Sequence, residues 1–492
     1  MCGIVGIVGT PQASQEVYQA LLMLQHRGQD SAGILSVDSK SGKFHLHKHL
    51  GQVSAAFTQN DLRLLGGDSA IGHTRYSTIG EVKEADLQPM AISLPTGIGM
   101  VHNGNVSNYR ELRKVLIAKQ RMFMSDNDLE IIMHLMAENF ASSATINSLI
   151  SPTDAAKKSI FKNLTHAVRE IFKKVEGGYS VIGLLGGDGM FAFRDPHGIR
   201  PLVLGSRKEE GGKTSYCLTS ETCALNFLGF TLERDVLPGE LIWVDHDGKL
   251  QTEQLVKKTA LPCMFEWIYF SSADSTLENK NVYEVRLKLG HLLGERLNAT
   301  ITEKFDVVAP VPDTSRPSAI ALAEKIGVPF RELLIKNRYV QRSFIMSGQN
   351  KRQLAVNMKF SVVDSLVKDK TVLLVDDSIV RGTTSKKLID LLKHHGAKKV
   401  YLASTCPPIM SPCYYGIDFP SRQELIAYQR NNDEVARELG ADGVFYSTLQ
   451  DLSSALDGTS FCKACLNGEY AYPVREARTP DATDDKTAEV LR

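Results

Sequence analysis

Residues 372–385 read VLLVDDSIVRGTTS. The apolar run at 372–375 predicts a buried strand, which ends in Asp376 and Asp377 and leads through a hydroxyl- and glycine-bearing loop into a helix. In parallel sheets, ligands lie beyond the carboxyl ends of the strands. The N–H groups of the loop and of the helix N-terminus suit a phosphate, and the two acids suit sugar hydroxyls and a magnesium ion. A solvated turn is the plain alternative, which the RGTT run disfavours.

The segments on both sides of this stretch alternate between strands and helices. We expect strands at 307–311, 372–375 and 400–403, and helices at 318–326 and 385–395. Such alternation predicts a parallel sheet with crossover helices.

The first half of the chain has a different rhythm, in which short β-type runs are broken by glycine-rich turns. We expect strands at 3–8, 98–102, 179–185 and 190–193, helices at 14–25 and 129–140, and a strand with a connector over 243–261. Because helices and strands segregate here rather than alternate, this half predicts α+β layers.

The chain has 492 residues, which is more than one ordinary core accommodates. We expect one domain over 2–240, a second over 255–473, and a polar, disordered tail over 477–492. Lysine plus arginine (57) and aspartate plus glutamate (56) leave a net charge of +1. That balance gives no reason to expect a nucleic-acid or membrane-surface partner.

The chain shows no targeting signal. No apolar run approaches the roughly 20 residues of a membrane helix, and the first residues do not form a secretory signal. We therefore expect a cytoplasmic protein with reduced thiols. Its eight cysteines are then candidates for catalysis, metal binding or burial rather than for disulfides.

The chain opens with Met1, Cys2 and Gly3. Removal of Met1 would leave a cysteine that carries its own α-amine. Such an amine, with a reference pKa of about 7.7–8.0, can take the thiol proton near neutral pH, so one residue would supply both nucleophile and base. The alternative is a small residue that follows the initiator by chance.

Three further segments carry polar groups that suit an amino-acid amide. Arg75, within GHTRYST at 72–78, can clamp a carboxylate. Asn103 and Gly104 follow a strand-like run, and their N–H groups can form an oxyanion hole. Asp126, within SDND at 125–128, offers a carboxylate for an ammonium group. Each segment, taken singly, is also compatible with a polar turn.

Together with LQHRGQDSAGI at 24–34, these segments resemble the glutaminase domain of the N-terminal-nucleophile amidotransferases over nearly all of residues 2–240. The resemblance implies a four-layer α+β domain in which Cys2 is the nucleophile. It implies that Asn103 and Gly104 stabilise the oxyanion, and that Arg75 and Asp126 hold the α-carboxylate and α-ammonium of glutamine. The family usually has Ser-Asp-Ser-Glu where this chain has SDND, so Asp128 is the alternative to Asp126.

The stretch 372–385 resembles the diphosphate-sugar motif of the type I phosphoribosyltransferases, and most closely the glutaminase-fused branch, the amidophosphoribosyltransferases. RDPHGIRPL at 194–202, VPDTS at 311–315 and KNRYV at 336–340 also fit that branch. The match extends from Cys2 to about Pro473. By resemblance, the 5′-phosphate lies on a loop comprising Ser378, Arg381, Gly382, Thr383 and Thr384. Asp376 and Asp377 hold the ribose and Mg²⁺, with Thr314 as a third metal contact.

The basic segment 338–359 is similar to the mobile loop of that branch, and a solvated basic loop is the plain alternative. Its cations Arg338, Arg342, Lys351, Arg352 and Lys359 are expected to face the diphosphate, with Lys359 the first choice. Closure would keep ammonia in its neutral, nucleophilic form in a dry passage. Attack on 5-phosphoribosyl diphosphate would give 5-phosphoribosylamine, diphosphate and glutamate, the first committed step of purine synthesis.

Four cysteines form a candidate metal site: Cys263, Cys413, Cys462 and Cys465. Four thiolates suit zinc or an iron–sulfur cluster, and the spacing does not choose between them. The resemblance favours the subgroup that carries a structural [4Fe–4S] cluster, with structural Zn²⁺ as the second choice. Members of that subgroup often carry a short propeptide, whereas here removal of Met1 alone is expected to free the nucleophile. Three other cysteines are expected in the core: Cys217, Cys223 and Cys406.

The resemblance also implies purine nucleotides as feedback inhibitors and a homotetramer. Two rival functions share parts of this pattern. A sugar-phosphate amidating synthase or an asparagine synthetase would pair the glutaminase with an isomerase or an ATP-binding domain, which the stretch 375–384 does not resemble. A nucleotide-sensing regulator with a phosphoribosyltransferase fold would not need the glutaminase residues.

Overall fold

The computed structural model describes residues 2–76, 83–93, 97–140, 154–337, 360–419 and 421–474, with the backbone alone for 154–159. The expected loop at 338–359, with Lys359, and the expected tail at 477–492 lie outside the described residues. Within the described part of the chain, no helix combines the length and apolar character that crossing a membrane requires.

The N-terminal half contains two antiparallel sheets. Its strands are β1 Gly3–Val8, β2 Ser31–Asp38, β3 Lys43–Leu50, β4 Ser69–Arg75, β5 Met90–Ile92, β6 Ile98–Val106, β7 Gly177–Leu185, β8 Gly189–Arg194, β9 Val203–Lys208, β10 Thr214–Thr219, β11 Thr231–Asp235, β12 Glu240–Asp245 and β13 Leu250–Gln254. The strand order is β11-β9-β10-β1-β4-β2-β3 in the first sheet and β13-β12-β8-β7-β6-β5 in the second.

The helices of this half cover the outer faces of the two sheets. They are α1 Ala13–Met23, α2 Val53–Ala56, α3 Gln59–Leu64, α4 Tyr109–Ala118, α5 Leu129–Phe140, α6 Asp154–Lys174 and α7 Thr222–Leu228, with 3-10 turns at Gln25–Arg27 and Glu84–Asp86. One apolar core lies between the sheets, a second lies under α1 and α7, and a third lies under α5 and α6. The order helix, sheet, sheet, helix confirms the expected four-layer α+β fold.

Strand β1 shows why these residues form the centre of the first sheet. Its alternate side chains face opposite sides: Ile4 and Val8 enter the core between the sheets, whereas Val5 and Ile7 pack toward the helices. All six residues are buried, between β4 on one side and β10 on the other. A strand buried on both faces holds the residue at its start, Cys2, in a fixed position.

The C-terminal half is built on a parallel sheet. Its helices are α8 Val282–Thr300, α9 Arg316–Ile326, α10 Asp364–Val367, α11 Thr383–His394, α12 Asn432–Leu439, α13 Leu449–Ala455 and α14 Ala464–Asn467. Its strands are β14 Thr276–Leu277, β15 Lys280–Asn281, β16 Val307–Pro310, β17 Leu334–Lys336, β18 Phe360–Val362, β19 Thr371–Asp376, β20 Lys399–Ser404 and β21 Gly443–Tyr446. A π-helical turn at Glu266–Phe270 and a 3-10 turn at Arg422–Glu424 complete the elements.

Strands β16, β19, β20 and β21 pair in that order, all in parallel. Helices α8 and α9 pack on one face of this sheet, and α11 and α12 pack on the other. This arrangement confirms the parallel sheet with crossover helices. The N-terminal sheet, however, continues through β12 and β13 to Gln254, past the expected boundary at residue 240, because β12 pairs with the buried strand β8.

Candidate functional site

Cys2 directly precedes β1, where hydrogen bonds connect it to strand β6 of the second sheet and to the 3-10 turn Gln25–Arg27. Its backbone N–H donates to Oδ1 of Asn103 on β6, at 3.1 Å. Its carbonyl oxygen accepts from Nε of Arg27, at 2.9 Å. The residue is half-buried, so its backbone is fixed while the side chain retains access to the surface. Two groups that the sequence analysis assigned to one site, Cys2 and Asn103, are thus in contact.

Asn103 uses only one end of its side-chain amide. The residue is fully buried, and within the described residues its Nδ2 has no hydrogen-bond partner. An unpaired buried donor costs free energy unless a ligand accepts from it. Next to it, Gly104 has φ +154°, and a Cβ there would overlap the carbonyl oxygen of Gly178. The position therefore requires glycine. Its backbone N–H follows directly on the residue whose side-chain Nδ2 is unpaired, Asn103.

Arg75 ends β4, which pairs with β1. Its Nη1 donates to the carbonyl oxygen of Asp86 at 2.7 Å, and the Asp86 carboxylate accepts the backbone N–H of Asp126 at 2.8 Å. Asn127 Nδ2 donates to the same Asp86 carbonyl, also at 2.7 Å. Gly28 allows the chain to pass Arg75, because a Cβ there would lie 2.5 Å from the Arg75 carbonyl carbon. Asp86, which the sequence analysis did not single out, connects the two expected glutamine contacts.

The two candidate acids of the SDND segment differ in burial. Asp128 is 6% exposed; it accepts the N–H of Val106 at 2.8 Å and lies 3.3 Å from Nε2 of His102. The Asp126 side chain is 64% exposed, with Lys83 at 3.2 Å and Arg113 at 3.4 Å. Asp128 thus supports strand β6, whereas the Asp126 side chain faces outward, with its backbone held by Asp86.

The second candidate site lies at the carboxyl end of β19. Asp376 and Asp377 are both buried, and the hydroxyls of Thr314 and Ser378 donate to the Asp377 carboxylate, the latter at 2.7 Å. Burial, and then the neighbouring Asp377, raises the pKa of Asp376 well above its ordinary value. Two adjacent buried carboxylates are unfavourable when both are ionised, and a divalent cation would compensate them. The donor set of two carboxylates and a threonine hydroxyl suits Mg²⁺.

The loop that follows joins this strand to α11. Gly382 has φ +73° at the N-cap of the helix, and a Cβ there would overlap Ile426. Thr383 and Thr384, in the first turn, are exposed. Arg381 points to acids instead, with Nε 2.7 Å from Glu424 and Nη1 3.5 Å from Asp418. The expected phosphate-binding residues therefore share one helix N-terminus, with Arg381 held by carboxylates at its edge.

The four candidate cluster cysteines belong to one apolar core region. Cys263 and Cys462 form an isolated parallel β-bridge, and Cys413 Sγ accepts the N–H of Tyr415 at 3.4 Å. Burial raises the pKa of Cys263 to about 11 and that of Cys462 to about 12. Over the described ranges, no group of three or more His, Cys, Asp or Glu side chains could hold a metal ion as positioned. The thiols fit a metal group in number and neighbourhood, not yet in ligand geometry.

The other three cysteines lie in the core, as expected. Cys217 and Cys406 are 0% exposed and Cys223 is 2% exposed. All eight cysteines, each within the described residues, carry free thiols.

A buried charge cluster joins the two halves of the chain, and no local pattern in the sequence indicates it. Its members are Arg27 and Glu221 from the N-terminal half, Glu266 from the C-terminal half, and Arg200. Burial alone would lower the pKa of Arg27, but Glu266 and Glu221 more than offset this and raise it. Arg27 falls within the segment 24–34, which marked the region without giving this role.

Residues 414–416 of the C-terminal half lie against strand β6, which carries Asn103 and Gly104. Asn105 Nδ2 donates to the Tyr414 carbonyl at 2.9 Å, and Arg200 Nε donates to the Tyr415 carbonyl at 2.7 Å. A Cβ on Gly416 would lie 3.2 Å from the carbonyl group of Gly104. The wall behind the candidate oxyanion hole therefore comes from the other half of the chain.

Two family models match the chain, one in each half. A glutamine amidotransferase domain matches residues 73–226, and a phosphoribosyl transferase domain matches residues 278–414. The first range contains Arg75, Asn103 and Asp126, and the second contains Asp376 and Asp377.

Full-length relatives match both halves together. An amidophosphoribosyltransferase from Haemophilus influenzae is 43% identical, over 93% of this chain and 89% of its own. One from Escherichia coli is 42% identical, over 96% and 92%. The solved structure of glutamine phosphoribosylpyrophosphate amidotransferase from B. subtilis, complexed with ADP and GMP, has a TM-score of 0.83 and 33% identity, over 96% and 98%. With two such sites in one molecule and relatives matched along nearly its whole length, this chain belongs to the amidophosphoribosyltransferase family of glutamine-dependent pentosyltransferases.

Proposed function

We propose that Cys2, once Met1 is removed, hydrolyses glutamine, and that the ammonia passes to 5-phosphoribosyl diphosphate bound at 376–384. The products are 5-phosphoribosylamine, diphosphate and glutamate. The observation that carries the assignment of the glutaminase site is the Asn103 side chain. Its oxygen holds the Cys2 N–H at 3.1 Å, while its buried Nδ2 lacks a partner among the described residues.

In the first half-reaction, the Cys2 α-amine takes the thiol proton and the sulfur attacks the glutamine amide carbon. Negative charge develops on the amide oxygen, where Asn103 Nδ2 and the Gly104 N–H would donate. Collapse expels ammonia, with its third proton returned from the α-amine, and leaves a thioester. Water then releases glutamate. Because the Asn103 donor is already in place, little reorganisation is needed when charge develops.

Recognition of the glutamine α-groups is assigned to Arg75 and Asp126. Support comes from Asp86, which accepts from Arg75 and from the Asp126 backbone and so fixes one relative to the other. We favour Asp126 over Asp128, because the Asp128 carboxylate already accepts from Val106. Replacing Asp126 with Asn should raise the KM for glutamine, whereas Asp128→Asn should lower the unfolding temperature. The reverse pattern would exchange the two roles.

For the second half-reaction, Ser378, Arg381, Gly382, Thr383 and Thr384 would hold the 5′-phosphate at the N-terminus of α11. Arg381 would leave Glu424 or Asp418 to do so. Asp376 and Asp377 would hold the ribose and, with Thr314, Mg²⁺. When bound, that cation would neutralise charge on the leaving diphosphate. Lys359 stays a proposed diphosphate contact outside the described residues.

We also propose a structural [4Fe–4S] cluster on Cys263, Cys413, Cys462 and Cys465, with Zn²⁺ as the second choice. Support comes from their shared core region and from Arg200, a buried cation whose charge acts on three of the thiols. The test is iron, sulfide and zinc analysis of anaerobically purified protein with its absorption spectrum. Colourless, iron-free protein that contains zinc would reject the [4Fe–4S] cluster. The proposed transferase activity would still stand.

Three wider properties complete the proposal. Purine nucleotides would act as feedback inhibitors, since the B. subtilis relative was solved with ADP and GMP. A homotetramer and a cytoplasmic location with reduced thiols are proposed from the family resemblance. Light scattering on purified protein tests the homotetramer, and activity assays with added GMP and ADP test the feedback inhibition.

The deciding experiment is Cys2→Ala assayed with glutamine and with ammonia as nitrogen donor. The variant should lose glutamine-dependent turnover and keep ammonia-dependent turnover, because only the first needs the thiol. Diphosphate release measures both. If Cys2→Ala keeps both activities, Cys2 is not the nucleophile. If the unaltered protein releases no diphosphate with either nitrogen donor, the proposed reaction is rejected.

A further inference from the structure

One side chain of the C-terminal half, Glu266, binds the arginine that hydrogen-bonds to the backbone of Cys2. Glu266 begins the π-helical turn Glu266–Phe270, and its two carboxylate oxygens accept from Nη2 and Nη1 of Arg27, both at 3.0 Å. Arg27 in turn donates its Nε to the carbonyl oxygen of Cys2 at 2.9 Å. A single guanidinium thus connects an acid of one half to the nucleophilic residue of the other.

The geometry of that guanidinium makes the connection stiff. Its N–H groups have a fixed planar fork arrangement, so a bidentate carboxylate at one edge orients the remaining donors. Glu221 takes a further Nη1 bond, and Ser271 donates to Glu266 Oε2 at 2.9 Å. Both Arg27 and Glu221 are 0% exposed, and Glu266 is 2% exposed. At this burial the bonds are shielded from bulk solvent, so the fork has little freedom to turn.

We propose that Glu266 is a positioning residue for glutamine hydrolysis, acting through Arg27 on the backbone of Cys2. It does not touch the reacting atoms. Its carboxylate sets the orientation of the Arg27 fork, and the fork fixes the carbonyl of Cys2 opposite the Asn103 contact on the Cys2 N–H. Cys2 is therefore held at two points. Asn103 holds its N–H, and Arg27, oriented by Glu266 of the C-terminal half, holds its carbonyl oxygen. This inference rests on the proposed role of Cys2.

The expected effect follows from the distance dependence of catalysis. A misplacement of about 1 Å can cost about 100-fold in rate. In Glu266→Gln, one oxygen and the negative charge are lost, so the fork is held on one side only. We expect at least a roughly 10-fold fall in glutamine-dependent kcat. The KM for glutamine should stay within about twofold, because Arg75 and Asp126 are unchanged. Ammonia-dependent turnover, which does not use Cys2, should also stay within about twofold.

The chain offers a matched control. Glu278 of the C-terminal half pairs with the buried Arg194 at 2.6 Å, and so makes the same kind of contact between the halves without reaching Cys2. Glu278→Gln should keep glutamine-dependent and ammonia-dependent turnover alike. Ser271→Ala, which removes only the hydroxyl bond to Glu266, serves if Glu266→Gln does not fold. It should lower glutamine-dependent kcat alone, by about two- to fivefold.

The experiment measures kcat and KM with both nitrogen donors for the unaltered enzyme and for Glu266→Gln, Ser271→Ala, Glu278→Gln and Cys2→Ala. A fall in glutamine-dependent kcat in Glu266→Gln and Ser271→Ala, but not in Glu278→Gln, with ammonia-dependent turnover kept in all three, supports the inference. An unchanged kcat in Glu266→Gln, an equal loss with both donors, or an equal loss in Glu278→Gln overturns it, as does an unchanged Ser271→Ala where Glu266→Gln is unfolded. Glutamine use by Cys2→Ala would instead reject the proposed function.

Discussion

Asn103 has two side-chain atoms with separable tasks, and substitution can test them one at a time. Oδ1 accepts from the Cys2 N–H at 3.1 Å, while Nδ2 is buried and has no partner within the described residues. Asn103→Ala removes both groups. Asn103→Asp keeps an acceptor for Cys2 and replaces the donor with a second oxygen. If Nδ2 serves the oxyanion, the aspartate variant must fail although it keeps the Cys2 contact.

The magnitude follows from the number of donors lost. One oxyanion donor contributes about 100- to 1000-fold in kcat, or about 2.7–4 kcal/mol of transition-state stabilisation. Asn103→Ala should fall in that range. Asn103→Asp should lose at least as much, because a carboxylate would repel the developing negative charge at close range. Gly104, the second expected donor, is unchanged in both variants, so hydrolysis should remain measurable above background.

The assay compares glutamate release with ammonia-dependent diphosphate release on the same preparations. Both variants should keep ammonia-dependent turnover within about twofold, which also shows that they are folded. The oxyanion assignment is refuted if Asn103→Asp keeps glutamine hydrolysis within about threefold of the unaltered enzyme. Equal loss of both activities would show a structural role for Asn103 and would refute it as well.

Three further outcomes follow from single positions. Gly104→Ala should abolish glutamine hydrolysis or prevent folding, because its Cβ would overlap the Gly178 carbonyl oxygen; soluble expression and glutamate release measure this. Arg75→Lys should raise the KM for glutamine by about 10-fold or more in steady-state assays, since lysine lacks the bidentate fork. Burial and Glu278 raise the pKa of Asp235 from 3.8 to about 6, so its ionisation destabilises the folded state as pH rises through this window. Asp235→Asn should therefore raise the unfolding temperature at pH 8, with at most about 3 kcal/mol gained, and the gain should shrink to below about 1 kcal/mol by pH 4.

The elements that the sequence predicted well are those with a strong local pattern. The strand at 3–8 has the bounds expected from its apolar run, and the helix at 129–140 also matches. The strand at 372–375 gains one residue at each end, Thr371 and Asp376. In these segments burial on both faces or helical periodicity is written into consecutive residues. The strand with a connector expected over 243–261 is β12 at Glu240–Asp245, followed by β13 at Leu250–Gln254, which has few apolar residues and is recognised only by its pairing with β12.

The site was predictable where the chemistry is unusual for its residue type. Cys2 and Asn103 are 101 positions apart. Their expected chemical roles predicted that they share one site, and the structure has them in contact. Glu266 and Arg27 are 239 positions apart, and neither the spacing nor the charge of an ordinary glutamate indicates a partner at that distance. Such pairs depend on how two finished domains pack, which local patterns do not encode. Asp86 has its partners within the N-terminal half, Arg75 at 11 positions and Asp126 at 40 positions, but no local pattern distinguishes it from an ordinary loop aspartate.

The tripeptide 414–416 has a consequence for how such enzymes can be recombined. It backs the Gly104 strand from outside the glutaminase half, through the Asn105 and Arg200 bonds to its carbonyls. A chimera that grafts residues 2–254 onto a different acceptor-binding module would leave that backing behind. Its glutaminase half would keep Cys2, Asn103 and Gly104 and would still lose the peptide that packs against strand β6. Exchange of whole halves therefore demands transplantation of this short peptide as well.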